Sequence, residues 1–293
     1  MRFLKFHGYG NDYLVFEETE LAGVASLNEF ARRVCERHYG AGADGIAVVG
    51  ELAGADAAAD FSLRIFNHDG SEAAMSGNGS RCAAAYLYER ALWTREELRF
   101  QTLAGVKLYR LRARPQPGRY RFEAEIGRPR FDSPSIPFRA EPAPLPEVRA
   151  YPLVVPGGEV VTVTALQMCN PNCCVFVEDF EATDWRRMGR AIESHRQFPE
   201  KTNVEFVRVR DRQRVEARVW ERGVGETLSS GTGACAAAVA SMLNGLVERE
   251  VSVNMPGGLL EVLWRNDGEV LLTGDAELVY TGDWPDERVK AEG

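Results

Sequence analysis

Two short segments far apart in this chain repeat one another: Ser76-Gly77-Asn78-Gly79-Ser80-Arg81-Cys82-Ala83-Ala84-Ala85 and Ser230-Gly231-Thr232-Gly233-Ala234-Cys235-Ala236-Ala237-Ala238. Such self-similarity points to an ancient duplication, and so to two similar halves. Each copy is a small-residue loop running into an Ala-rich segment of high helix propensity. The first glycines then carry free backbone N–H groups and the positive end of a helix dipole, an arrangement that attracts anions. One Ser-Gly-x-Gly loop is a weak signal, because glycine also serves turns and tight packing. Two matched copies say more. With the halves face to face, both helix ends would meet one carboxylate, and Ser76 and Ser230 would approach the adjacent carbon from opposite sides. That arrangement suits removal of a proton from one face and its return on the other.

The remaining sequence is consistent with a mixed α/β chain. Strand-like segments recur at 63–67 (LRIFN), 107–113 (KLYRLRA), 160–168 (VVTVTALQM) and 215–221 (VEARVWE). Helices are expected at about 27–38, 79–91, 184–194 and 232–245, the first opened by a Ser26/Glu29 capping box. Of the 14 prolines, those at 129, 134, 137, 142, 144, 146, 152 and 156 fall in one stretch, where they should interrupt any central strand or helix. This stretch is read as the connection between halves. The expected domains are residues 1–127, joined by a C-terminal strand 276–287, and residues 128–275.

The balance of 35 basic and 43 acidic residues, net charge -8, argues against a nucleic-acid partner and for a small-molecule ligand. No membrane span or secretory signal is evident, so the cytoplasm is the expected location. The six cysteines, Cys35, Cys82, Cys169, Cys173, Cys174 and Cys235, read as reduced thiols and not as a disulfide scaffold. Adjacent Cys173 and Cys174 should point to opposite faces of a strand, which argues against a metal site with Cys169.

Several blocks together resemble the diaminopimelate epimerase family: HGYGNDY at 7–13, RHYGAGADG at 37–45, RIFNHDGSEAAMSGNGSRCAAA at 64–85, MCNPNCCVFV at 168–177, TNVEFV at 202–207 and ERGVGETLSSGTGACAAA at 221–238. The resemblance spans nearly the whole chain. It implies two pseudo-symmetric α/β halves, each a curved, mostly antiparallel sheet around a central helix. It also implies a homodimer that interconverts LL- and meso-diaminopimelate without metal, pyridoxal phosphate or other cofactor. Carried over residue by residue, it makes Asn11, Asn67, Asn170 and Asn203 substrate contacts, with Glu221 and Arg222 at the distal amino and carboxylate groups. Gly77, Asn78, Gly231 and Thr232 would offer backbone N–H groups to the reacting carboxylate. Arg suits bidentate carboxylate binding, and Asn both donates and accepts; for Asn67 and Asn170 stabilising a turn is the alternative, and it is compatible with binding.

Three positions depart from the family pattern. Its two acid/base cysteines are replaced by Ser76 and Ser230, and the histidine of its GNPH motif by Asn172. A thiol titrates at about 8.5, whereas an alcohol lies closer to water, at roughly 15.7. Asn172 cannot act as a base. Ser76 is therefore expected to lack an ionisable partner, while Ser230 keeps Glu221. The resulting expectation is little or no epimerase activity in an otherwise intact site. The alternatives are a one-base isomerase or lyase working through Glu221 and Ser230, and a non-catalytic amino-acid-binding protein. His7 and His38 are expected to be structural, His68 a minor candidate base, His195 a surface residue at a helix end, and Cys82 and Cys235 packing residues.

Overall fold

The computed structural model describes residues 1–52 and 58–285; the last two positions of the expected strand 276–287 lie outside them. The chain forms two compact units, residues 1–124 with 274–293, and residues 125–273.

The first unit contains β1 (Arg2–Gly8), β2 (Asn11–Glu17), α1 (Leu27–Cys35), β3 (Gly45–Glu51), β4 (Phe61–Asn67), β5 (Glu72–Ala73), α2 (Gly77–Glu89), β6 (Glu97–Thr102), β7 (Gly105–Gln116) and β8 (Arg119–Gly127). β1 pairs antiparallel with β2, which runs parallel to β3. β4 is antiparallel to β3 and β5 and parallel to β6, and an antiparallel ladder continues through β7 to β8. Residues 45–50 of β3 are all buried, so both faces of this strand are covered, and α1 and α2 both pack against it. α1 is amphipathic, laying Phe30, Ala31, Val34 and Cys35 onto a core with Phe3, Phe16, Ile46 and Phe66. By contrast, α2 is buried from Asn78 to Tyr88, as expected for a helix enclosed by β1, β2, β3 and β4.

The second unit contains β9 (Val148–Val154), β10 (Val160–Met168), β11 (Asn170–Phe176), α3 (Trp185–Glu193), β12 (Asn203–Asp211), β13 (Arg214–Glu221), β14 (Gly225–Thr227), α4 (Gly231–Leu243), β15 (Glu250–Met255), β16 (Gly258–Trp264) and the start of β17 (Val270–Asp283). Its pairings repeat those of the first unit: β10–β11 antiparallel, β11–β12 parallel, β12–β13 and β13–β14 antiparallel, β13–β15 parallel, then β15–β16–β17 antiparallel. α4 is buried from Gly233 to Ser241 and touches β10, β11, β12, β13, β15 and β16. Each unit is thus a mostly antiparallel sheet around a central helix, and the small side chains of Ala83–Ala85 and Ala236–Ala238 permit close approach. The far end of β17 pairs with β1 in the first unit.

Two local expectations are corrected. The proline-rich stretch is not merely a connection. It builds β9, in which Pro152 pairs opposite Thr162, and supplies Ile136 and Phe138 to the second core. His195 is not at the surface: it is buried, its Nε2 lies 3.0 Å from the Val154 carbonyl, and its Nδ1 accepts from the Gln197 N–H. The turn after α3 folds inward, which the helix pattern alone does not reveal.

Candidate functional site

The two repeated segments adopt the same local structure. Both helices begin at the first glycine, two residues or one residue earlier than expected, and the preceding serine is the N-cap. Ser76 has φ -134° and ψ 123°; Ser230 has φ -135° and ψ 123°. Each hydroxyl accepts from the N–H three residues on, Gly79 at 3.1 Å and Gly233 at 3.2 Å. Helix geometry leaves the N–H groups of Gly77, Asn78, Gly231 and Thr232 without intrahelical acceptors. These four positions are the anion-binding candidates identified from the sequence.

In the first unit, Asn78 Nδ2 donates to Asn11 Oδ1 at 3.1 Å, and Asn11 Nδ2 donates to Asp44 Oδ2 at 2.8 Å. Asp44 and Asp12 exchange backbone-to-carboxylate bonds, and Arg37 reaches both carboxylates. Burial would raise the Asp12 pKa, but Arg37 and Lys5 outweigh it and hold the carboxyl below its ordinary value. Asn67 is not part of this network. Its side chain donates to Ser71 Oγ at 2.9 Å in the turn after β4. His68 beside it is exposed, His7 accepts a turn N–H from Gly10, and His38 lies exposed against Glu36.

One expectation for this half is overturned. Ser76 does have an ionisable neighbour: the Tyr13 hydroxyl lies 2.9 Å from Ser76 Oγ. Arg81 was also not anticipated. Its side chain is fully buried, donates to the Asn78 side-chain oxygen and the Asp275 carbonyl, and stands over the Tyr9 ring. Its Nη1 has no hydrogen-bond partner among the described residues. The available signal was a lone charge inside an Ala-rich segment.

In the second unit, four residues form a hydrogen-bonded chain. Arg222 N–H donates to Asn203 Oδ1 at 2.9 Å, Asn203 Nδ2 to Asn172 Oδ1 at 3.3 Å, and Asn172 Nδ2 to the Asn170 carbonyl at 2.6 Å. Asn172 is fully buried and engaged on both sides of its amide. The Arg222 guanidinium is exposed and donates to the Glu200 carbonyl at 2.9 Å. Glu221 ends β13 opposite Gly225, and burial raises its carboxyl above the ordinary value. Glu205 on β12 was missed from the sequence. It is fully buried, its Oε1 lacks a hydrogen-bond partner among the described residues, and a methyl group at Gly233 would lie 3.2 Å from both that oxygen and Ser230 Oγ. Cys82 and Cys235 are buried in their helices, and burial pushes Cys82 up to about 12. Cys173 and Cys174 are likewise buried with raised pKa values, whereas Cys169 is exposed.

Residues 3–129 and 164–279 match the sequence pattern of the diaminopimelate epimerase family. The chain belongs to that family. A diaminopimelate epimerase from Pelotomaculum thermopropionicum is 42% identical over 287 residues, covering 97% of this chain and 99% of the relative. Among solved structures, a phenazine biosynthesis protein of the PhzF family from Bacillus anthracis matches with a TM-score of 0.69 at 14% identity, covering 98% of this chain and 99% of the other. A hydroxyproline epimerase from Agrobacterium vitis, solved with bound trans-4-OH-L-proline, matches with a TM-score of 0.66 at 15% identity, covering 96% and 91%. These two establish likeness of fold. No helix among the described residues is long and apolar enough to cross a membrane.

Proposed function

We propose that this protein is a cofactor-independent epimerase acting at the Cα of a diaminopimelate-like amino acid, slowed by its alcohol acid/base groups. Family membership supports an amino-acid substrate. The observation that carries the reading is the matched pair of N-capped helix starts, each presenting a serine hydroxyl beside N–H groups suited to a carboxylate. The reading assigns Ser76 and Ser230 to opposite faces of one Cα, and Glu221 to the proton acceptor on the Ser230 side. A carboxyl whose pKa is raised by burial is a better base near neutral pH than an ordinary one. Asn11, Asn67, Asn170 and Asn203 then position the substrate, and Arg222 takes its distal carboxylate. The same reading makes the protein a cytoplasmic homodimer, which sedimentation equilibrium tests against the 32.5 kDa chain mass.

The deciding experiment incubates purified protein with LL- and meso-diaminopimelate in deuterated buffer and follows Cα deuterium and configuration. Deuterium incorporation with inversion is expected. Exchange with retention alone would favour one-base chemistry through Glu221 and Ser230. Binding without exchange would leave an amino-acid-binding protein.

A further inference from the structure

We propose that Tyr13 is the proton source for Ser76, which makes the Ser76 side the donor side of the reaction. The inference rests on the proposed epimerase function and assigns a direction to one half of it. Tyr13 is buried in β2, and its hydroxyl lies 2.9 Å from Ser76 Oγ. Two glycines hold the ring in place. A methyl group at Gly79 would lie 3.0 Å from Tyr13 Cε1, and one at Gly45 would lie 2.8 Å from the same atom. Gly79, the second glycine of the repeated motif, therefore does more than start a helix: it leaves the slot that brings the phenol to the serine.

The second unit provides a contrast at the equivalent place. Tyr13 pairs with Gly45, the first residue of β3, and Asn172 pairs with Asn203, the first residue of β12. Where the first unit has a phenol, the second has an amide whose atoms are committed to Asn170 and Asn203. Among the described residues, Ser230 Oγ is hydrogen-bonded only to the Gly233 N–H. The two serines thus sit in chemically different surroundings despite their matched backbones.

An ordinary tyrosine titrates at about 10, so at neutral pH it carries its proton and stands ready to give it. After a base on the other face has removed the substrate proton, the carbanion electron pair at Cα forms a new bond to the Ser76 hydroxyl hydrogen and the Ser76 O–H bond breaks, its electrons staying on Oγ. The Tyr13 O–H bond breaks as its proton passes to Ser76 Oγ. Water then reprotonates the phenolate. Tyr13 acts through Ser76 and is a positioning and relay residue, not one that touches substrate.

The test compares wild type, Tyr13→Phe, Ser76→Ala and the double variant in deuterated buffer with LL- and meso-diaminopimelate, measuring Cα deuterium incorporation and inversion separately. Phenylalanine fills the same slot, and thermal unfolding checks that the fold is kept. Tyr13→Phe should lower the ratio of inversion to exchange about a hundredfold, the lower range for loss of a general acid. The double variant should be no worse than Ser76→Ala, as expected for groups acting in series. An unchanged ratio, with both rates falling together or neither changing, overturns the relay while leaving the epimerase reading in place. A wild type that neither exchanges nor inverts either isomer overturns the proposed function and this role with it.

Discussion

At Ser76 and Ser230 the proposed acid/base groups are alcohols, and a thiol in either place would differ in proton affinity far more than in size. The gap between a thiol and an alcohol is several pKa units, each equivalent to about 1.4 kcal/mol. Asn172 adds a second deficit, because its amide is fixed between Asn170 and Asn203. Restoring one thiol alone should therefore change little. The triple variant Ser76→Cys, Asn172→His and Ser230→Cys should raise Cα exchange and epimerisation well above wild type, on the order of 10²-fold, the lower contribution of a positioned acid/base pair. Parallel deuterium-exchange assays of the single and triple variants check this. Arg222 allows an independent test of substrate identity. Its backbone N–H holds Asn203, whereas its exposed guanidinium makes one contact, to the Glu200 carbonyl. Arg222→Ala should therefore keep the fold but weaken diaminopimelate binding by about 1.5–3 kcal/mol, the worth of a hydrogen bond to a charged group. Unchanged affinity in calorimetry would point to a ligand without a distal carboxylate.

At the scale of the element, each serine is also the cap that starts its helix. Ser76→Ala and Ser230→Ala should each cost about 1 kcal/mol in denaturant unfolding. A thiol is a weak acceptor, so Ser76→Cys and Ser230→Cys should lose much of that amount, making the activity-restored triple variant less stable than wild type. The helices themselves were legible because local chemistry specifies them: Ser26 accepts from Glu29 N–H, and α3 is capped by Asp184, whose side chain accepts from Arg187 N–H. The starts of α2 and α4 were placed late because glycine has low intrinsic helix propensity, and here enclosure by the sheet overrides it. Pro152 and His195 were misjudged for a related reason, since both depend on contacts with distant strands. Tyr13, Arg81 and Glu205 share that limit. Their partners lie 63, 194 and 31 residues away in Ser76, Asp275 and Cys174, and no local pattern announces them. The family resemblance singled out Asn11, Asn170, Asn203, Glu221 and Arg222 as candidates, but not the hydrogen bonds that Asn11, Asn170, Asn203 and Arg222 make.

Taken as a whole molecule, the duplication is close in backbone and unequal in charge. The first unit buries Arg81 beside its central helix start; the second buries Glu205. Burial pushes the Glu205 carboxyl well above the ordinary carboxylate range, and Glu221 adds to the rise. A pKa raised on folding means the native state holds the proton more tightly than the unfolded chain. The favourable contribution is complete below the unfolded value of about 4.3 and declines as pH rises toward the native value, by up to about 1.4 kcal/mol per pH unit. Urea unfolding across pH should show this decline in wild type and a flatter profile in Glu205→Gln; parallel profiles would refute it.

The last strand has a consequence for how the chain is made. β17 ends by pairing with β1, and its Asp275 receives Arg119 and Arg121 through its carboxylate and Arg81 through its carbonyl. Synthesis runs from the amino terminus, yet the first unit lacks a strand and one acceptor of its buried arginine until residues 274–283 emerge from the ribosome. The second unit, residues 125–273, is synthesised in full before then. The half translated first is therefore the half completed last, and during that interval the nascent chain carries an open sheet edge of the kind that recruits chaperones or mispairs with another chain.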